Sequence, residues 1–111
     1  MFSTILAFYV AQITSGNITP EILKDYAVVQ SLSENVDPQI ILHIIAAESQ
    51  FNPNAIGDHG TSIGEVQIHL PAHPDISPEE AENPIFATRF VVSEVKNGKC
   101  SEWSTCPLPS Q

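Results

Sequence analysis

The chemistry of this chain gathers around Glu48. Ile41, Ile44, Ile45 and Glu48 are spaced by three and four, so on a helix they share one face. A carboxyl on such an apolar stripe is costly to bury as an unpaired ion, so it finds hydrogen-bond donors or holds a proton. A carboxyl that holds its proton is a general acid, the group that must protonate the leaving oxygen when a glycosidic bond is cleaved. Periodicity alone favours the plainer reading, in which Glu48 lies at the stripe's edge, reaches water and simply ends the helix.

A second set follows at Ser62-Ile63-Gly64-Glu65-Val66-Gln67-Ile68. Gln67 can donate and accept, which suits hydroxyl and acetamido groups, and it also suits a short exposed strand. Gly64, lacking a side chain, lets a backbone come close to a sugar or to the glutamate-bearing helix; otherwise it is a turn glycine. Ser62 either bonds a ligand or caps a local turn. His59, His69 and His73, with Asp58 nearby, are common ligand types, yet Pro71 between His69 and His73 argues against a helical pair. They are read as exposed loop histidines, with no metal.

The elements that must position these groups carry local signals. Thr19-Pro20-Glu21 predicts a helix from about Pro20 to Leu32, and Asp37-Pro38 starts the helix bearing Glu48. After Gln50, Asn52-Pro53-Asn54 and Gly57-Asp58-His59-Gly60 are turn chemistry opening a long surface segment. Ser62 to His69 reads as a strand or a tight helical turn. Prolines 71, 74 and 78 predict irregular chain until Asn83-Pro84 starts another helix, which buries Phe86, Phe90, Val91 and Val95 and stops at Gly98.

Composition narrows the rest. At 111 residues the chain has room for one small core, to which a covalent staple would add meaningfully. Cys100 and Cys106 bracket Ser-Glu-Trp-Ser-Thr and match neither a redox CxxC nor a four-ligand zinc pattern, so they are read as a disulfide of an oxidising compartment. Four Lys and Arg against 13 Asp and Glu, a net charge of −9, exclude docking on a nucleic acid backbone. The apolar stretch Phe2 to Ile13 is too short to span a bilayer and has no basic residue before it. Residues 1–18 are therefore an export segment or the first core helix, and composition does not choose.

Two segments carry a family resemblance: Glu48-Ser49-Gln50-Phe51-Asn52-Pro53-Asn54-Ala55, and Ser62 to Ile68. They resemble the soluble lytic transglycosylases of the lysozyme-like superfamily, in which a Glu-Ser pair ends a helix and a Ser-x-Gly-x-x-Gln-Ile segment follows. The resemblance runs from about Asp37 to Cys106 and is strongest from Ile45 to Ile68. It implies a mainly α, lysozyme-like domain over 19–106, with a loop or short hairpin over the cleft and a tail at 107–111. It implies peptidoglycan as substrate, and Glu48 as the acid/base that cleaves between N-acetylmuramic acid and N-acetylglucosamine to give a 1,6-anhydro product. Ser49 would shape the site; Ser62, Gly64, Gln67 and Ile68 would line the sugar cleft. No cofactor is implied.

Departures from the family pattern bear on activity. Glu65-Val66 replaces the common Leu-Met, which puts an acid near the cleft, read here as facing solvent. Hydrolysis by two carboxylates would take Asp58 or Glu65 as the second acid. The tyrosine-asparagine motif of longer members is missing, which keeps open a non-catalytic wall-binding or structural module. Trp103 is read as core, with stacking on a sugar as the alternative. The acidic charge disfavours roaming over anionic wall polymers and suits an exported, periplasmic or cell-wall enzyme acting locally, as within a larger wall-crossing assembly.

Overall fold

Four helix starts are written in the same local code, a capping side chain followed by proline. In the computed structural model, which describes residues 2–109, helix α1 spans Phe2–Thr14, α2 Pro20–Ser33 and α3 Pro38–Ser49. The Thr19 hydroxyl accepts from Ile22 N (3.2 Å) and the Asp37 carboxylate from Gln39 N (2.9 Å), each followed by a proline at the first helical position. Helix α3 ends where Gln50 and Phe51 both turn left-handed, at φ 54° and 61°. That reversal sends the chain away from Glu48 into the hairpin segment.

The segment is a small antiparallel sheet of three two-residue strands, β1 Ile56–Gly57, β2 Ser62–Ile63 and β3 Ile68–His69. Ile56 pairs with Ile63, Gly57 with Ser62, Ser62 with His69 and Ile63 with Ile68. Of the alternatives read from the sequence, the Ser62–His69 stretch is strand at both ends; the turn between them, closed by Gln67 N donating to Gly64 O (3.1 Å), is not helical, with Gly64 and Gln67 left-handed.

The irregular run expected up to Asn83 is corrected by a short helix, α4 Pro78–Glu82. Pro78 does not break structure here. It occupies the first turn behind Ser77, whose hydroxyl accepts from Glu80 N (3.1 Å) while the Glu80 carboxylate accepts from Ser77 N (3.0 Å). Asn83 then caps α5, Pro84–Lys96, by accepting from Ile85 N at 2.9 Å.

Helix α2 is central, touching α1, α3 and α5. Leu23, Tyr26 and Ala27 of α2, Ile41, Ile44 and Ile45 of α3, and Ala87, Val91 and Val92 of α5 are fully buried together with Val66, Ile68 and Cys100. Helix α1 buries Ile13, half-buries Leu6, Tyr9 and Val10, and leaves Ile5 and Phe8 exposed. Among the described residues no helix is long and apolar enough to cross a membrane.

Gly64 couples the sheet to α4. It lies at φ +86°, and a Cβ there would overlap the backbone carbonyl of Ala81. Neither partner can yield, because both are backbone. Gly64→Ala is expected to cost about 3 kcal/mol by combining left-handed strain with overpacking. Urea denaturation followed by circular dichroism reads that loss as a lower midpoint at unchanged slope.

Candidate active site

Glu48 stands in the last turn of α3, half-buried, at the wall of a cleft of about 700 Å³. The apolar stripe beneath it, Ile41, Ile44 and Ile45, is wholly buried and anchors the helix. Of the two outcomes open to a carboxyl there, a hydrogen bond is present: Thr105 Oγ1 donates to Glu48 Oε2 at 2.6 Å. Thr105 was not singled out in the sequence. The available signal was its place inside the loop between Cys100 and Cys106, next to Trp103.

The cleft also takes in Ser62, Gln67 and Ile68 from the expected set, joined by Asp58, His69 and Trp103. Gln67 sits at φ 53° and spends its amide donors on Ala55 O (3.1 Å) and Gly64 O (2.9 Å). Its carbonyl end, lying over Gly57, is what remains to accept from a ligand. Ser62 is buried; its hydroxyl donates to Asp58 Oδ2 at 2.5 Å and lies 3.3 Å from His69 Nδ1. A polar wall of carboxylate, hydroxyl and imidazole results, suited to the hydroxyl groups of a sugar.

Two expected residues lie elsewhere. Ser49 Oγ donates to the backbone carbonyl of Glu65 at 2.6 Å, tying the end of α3 to the β2–β3 turn rather than lining the cleft. Gly64 closes on α4 at Ala81, so the close approach its missing side chain permits is to neither a sugar nor the glutamate-bearing helix.

Glu65 is corrected outright. Read as facing solvent, it is 0% exposed. The tight turn that begins at left-handed Gly64 directs Glu65 and Val66 into the core, where Thr88 Oγ1 of α5 donates to Glu65 Oε1 at 2.6 Å and Oε2 has no partner. Burial pushes its carboxyl up to about 7, against the lowering effect of the Thr88 hydrogen bond. Tyr26 shares this neighbourhood. Its phenol is raised chiefly by burial, with nearby Arg89 opposing and the charge of Glu65 adding. Of the two candidate second acids, only Asp58 is in the cleft.

Trp103 is a core residue, as read, and it also borders the cleft. It is 7% exposed, donates Nε1–H to Val66 O at 2.7 Å and meets Phe90 edge-on at 6.0 Å, yet the cleft still reaches it. Cys100 and Cys106 are bonded.

The histidines do not act together. His59 is exposed at φ 57°, His69 is at Ser62, and His73 Nε2 pairs with Glu102 Oε1 at 3.2 Å. Among the described residues, His73, Glu94 and Glu102 form the set whose donor atoms, within 4.8 Å of one another, could converge on a cation. Charge there is already partly answered from the protein. Burial, then Glu94, raises the Glu102 carboxyl, while His73 and Lys99 oppose the rise.

No curated protein matches the chain, and no solved structure matches it. The sequence model of the transglycosylase SLT domain matches residues 25–90, more than half of the chain, including Glu48, Ser49 and the whole Ser62–Ile68 segment. With a mainly helical fold, a small sheet beside the cleft and this match, the chain belongs to the transglycosylase SLT domain family of the lysozyme-like superfamily.

Proposed function

We propose that the protein is a peptidoglycan lytic transglycosylase with Glu48 as its single acid/base. The observation that carries this reading is the placement of Glu48 at the cleft wall, one carboxyl oxygen engaged by Thr105, among groups able to bond sugar hydroxyls. Protonated Glu48 gives its proton to the glycosidic oxygen between N-acetylmuramic acid and N-acetylglucosamine, and the C1–O bond breaks as positive charge grows at C1. The carboxylate then takes the proton of the muramoyl 6-hydroxyl as that oxygen bonds to C1. Water is not consumed, the 1,6-anhydro ring closes, and Glu48 ends as it began.

Ser62, Gln67 and Ile68 are the substrate-lining residues in this reading, while Ser49 and Gly64 act by holding the β2–β3 turn against α3 and α4. The disulfide and the family's action on cell walls support an exported enzyme, local in its action because of its acidic charge. A non-catalytic wall-binding module is the second reading, favoured by the missing tyrosine-asparagine motif.

Mass spectrometry of muropeptides released from purified peptidoglycan separates the outcomes. Anhydro-muramoyl ends are expected. Reducing ends would make the protein a hydrolase and turn attention to Asp58, while co-sedimentation with walls and no release would leave the binding module.

A further inference from the structure

The contact on Glu48 comes from a part of the chain beyond the family-matched stretch of residues 25–90. Thr105 and Glu48 are 57 positions apart. Thr105 directly precedes Cys106, the half-buried partner of fully buried Cys100 in a disulfide joining residues six positions apart. The loop so closed is held to the body by Trp103, whose indole donates to Val66 O at 2.7 Å. Within it Trp103 N donates to Cys100 O and Cys106 N to Trp103 O, both at 3.0 Å. Thr105 therefore has a covalent crosslink on one side and a buried indole two residues away on the other.

A carboxyl has two oxygens, and only one should meet the substrate. With Oε2 held by Thr105, Oε1 is the oxygen available to the scissile bond. A hydroxyl suits this task in both halves of the cycle, because it can donate to Oε2 when that oxygen belongs to the carboxylate and equally when it is the carbonyl oxygen of an acid protonated at Oε1. A carboxyl free to rotate would present its proton in the productive direction for only part of the time.

Resting on the glycan-cleavage reading above, we infer that Thr105 is the positioning residue for Glu48, and that the Cys100–Cys106 bond makes its hold conditional on an oxidising compartment. Reduction by a dithiol breaks the S–S bond. Two electrons and two protons pass to the sulfurs, giving two thiols and an oxidised cyclic dithiol. The loop then keeps Trp103 but loses the closure beside Thr105, so a lytic enzyme would stay weak until it reached a place where the bond can form.

The test compares the full chain with Thr105→Val and Thr105→Ser, each oxidised and after dithiothreitol, at several peptidoglycan concentrations. Thr105→Val is expected to lower kcat about 10- to 100-fold with KM within about twofold, and Thr105→Ser to stay within about threefold of wild type. Reduction should lower the wild type by a similar factor and Thr105→Val by less than about twofold further, since both remove the same contact. Circular dichroism confirms that the reduced protein is folded, and the Cys100→Ser/Cys106→Ser double variant repeats the comparison without reductant. The Glu48 carboxyl carbon, assigned in ¹³C-labelled protein by its loss in Glu48→Gln, should change chemical shift alike in Thr105→Val and on reduction. That readout needs no turnover, so an inactive wild type with the expected shifts would sink only the enzyme reading. Wild-type kcat in Thr105→Val, equal loss in Thr105→Ser, full sensitivity of Thr105→Val to reduction, or an unmoved Glu48 signal would each overturn the inference.

Discussion

Glu48→Gln is expected to reduce muropeptide release by about 10³-fold, within the range removed when a positioned general acid is lost. Glutamine keeps the length of the side chain and an oxygen to accept from Thr105, so the bond seen at Oε2 has a replacement. The buried stripe of Ile41, Ile44 and Ile45 is untouched. In the proposed reaction, what is removed is the transferable proton, together with the base that would receive the 6-hydroxyl proton. The loss should appear in kcat with KM nearly constant, because the ground-state cleft is unchanged. Initial rates over a range of peptidoglycan concentrations, with co-sedimentation to confirm binding, measure it. Release by Glu48→Gln at the wild-type rate would remove Glu48 from the chemistry and point to Asp58.

The second large effect is on stability and its pH dependence. Glu65 is fully buried, its Oε2 is without a partner, and burial raises its carboxyl to about 7. In the unfolded chain the same group loses its proton near the ordinary glutamate value of about 4.3. Between these two values the folded state binds more protons than the unfolded one, so Glu65 makes stability fall as pH rises. Its contribution is fully present below the unfolded value and is lost as pH climbs through about 7, a drop of order 3 kcal/mol.

Replacing Glu65 by leucine alone would strand the Thr88 hydroxyl, which now donates to Oε1 at 2.6 Å. The clean variant is Glu65→Leu/Thr88→Val, which turns both partners apolar at similar volume. It is expected to raise Tm at pH 8 by about 10 °C, with a much smaller change at pH 4.5. Calorimetry on both proteins across that range isolates Glu65, because the exposed carboxylates titrate in both and cancel in the difference. An equal gain at the two pH values would mean that packing, rather than ionisation, set the cost of Glu65.

The structure also gives the missing tyrosine-asparagine motif a different weight. Its absence weighs against turnover only if nothing else engages the Glu48 carboxyl. Here Thr105 does so from within the disulfide loop, while Trp103 of the same loop closes one side of the cleft. A compact chain can thus supply, from its C-terminal loop, a polar contact on Glu48.

What the sequence determined by itself was local. Thr19-Pro20, Asp37-Pro38 and Asn83-Pro84 mark helix starts because cap and first turn are neighbours in the chain, and each is observed as a bonded cap. The spacing of Ile41, Ile44, Ile45 and Glu48 placed a carboxyl beside a buried stripe for the same reason, and the Cys100–Cys106 spacing allowed the bond that is present. Helix α4 was local too, but the capping box at Ser77-Pro78-Glu79-Glu80 was masked by reading Pro78 as a breaker when it stands in a first turn. Tertiary structure alone decided the rest. Glu65 faces the core because a left-handed Gly64 turns the chain there and α5 brings Thr88 to meet it, 23 positions away. Thr105 reaches Glu48 across 57 positions, and Trp103 reaches Val66 across 37. Periodicity reports the neighbours within an element, whereas these contacts depend on how the elements pack, and that packing decides which polar side chains meet a cleft and which are sealed inside.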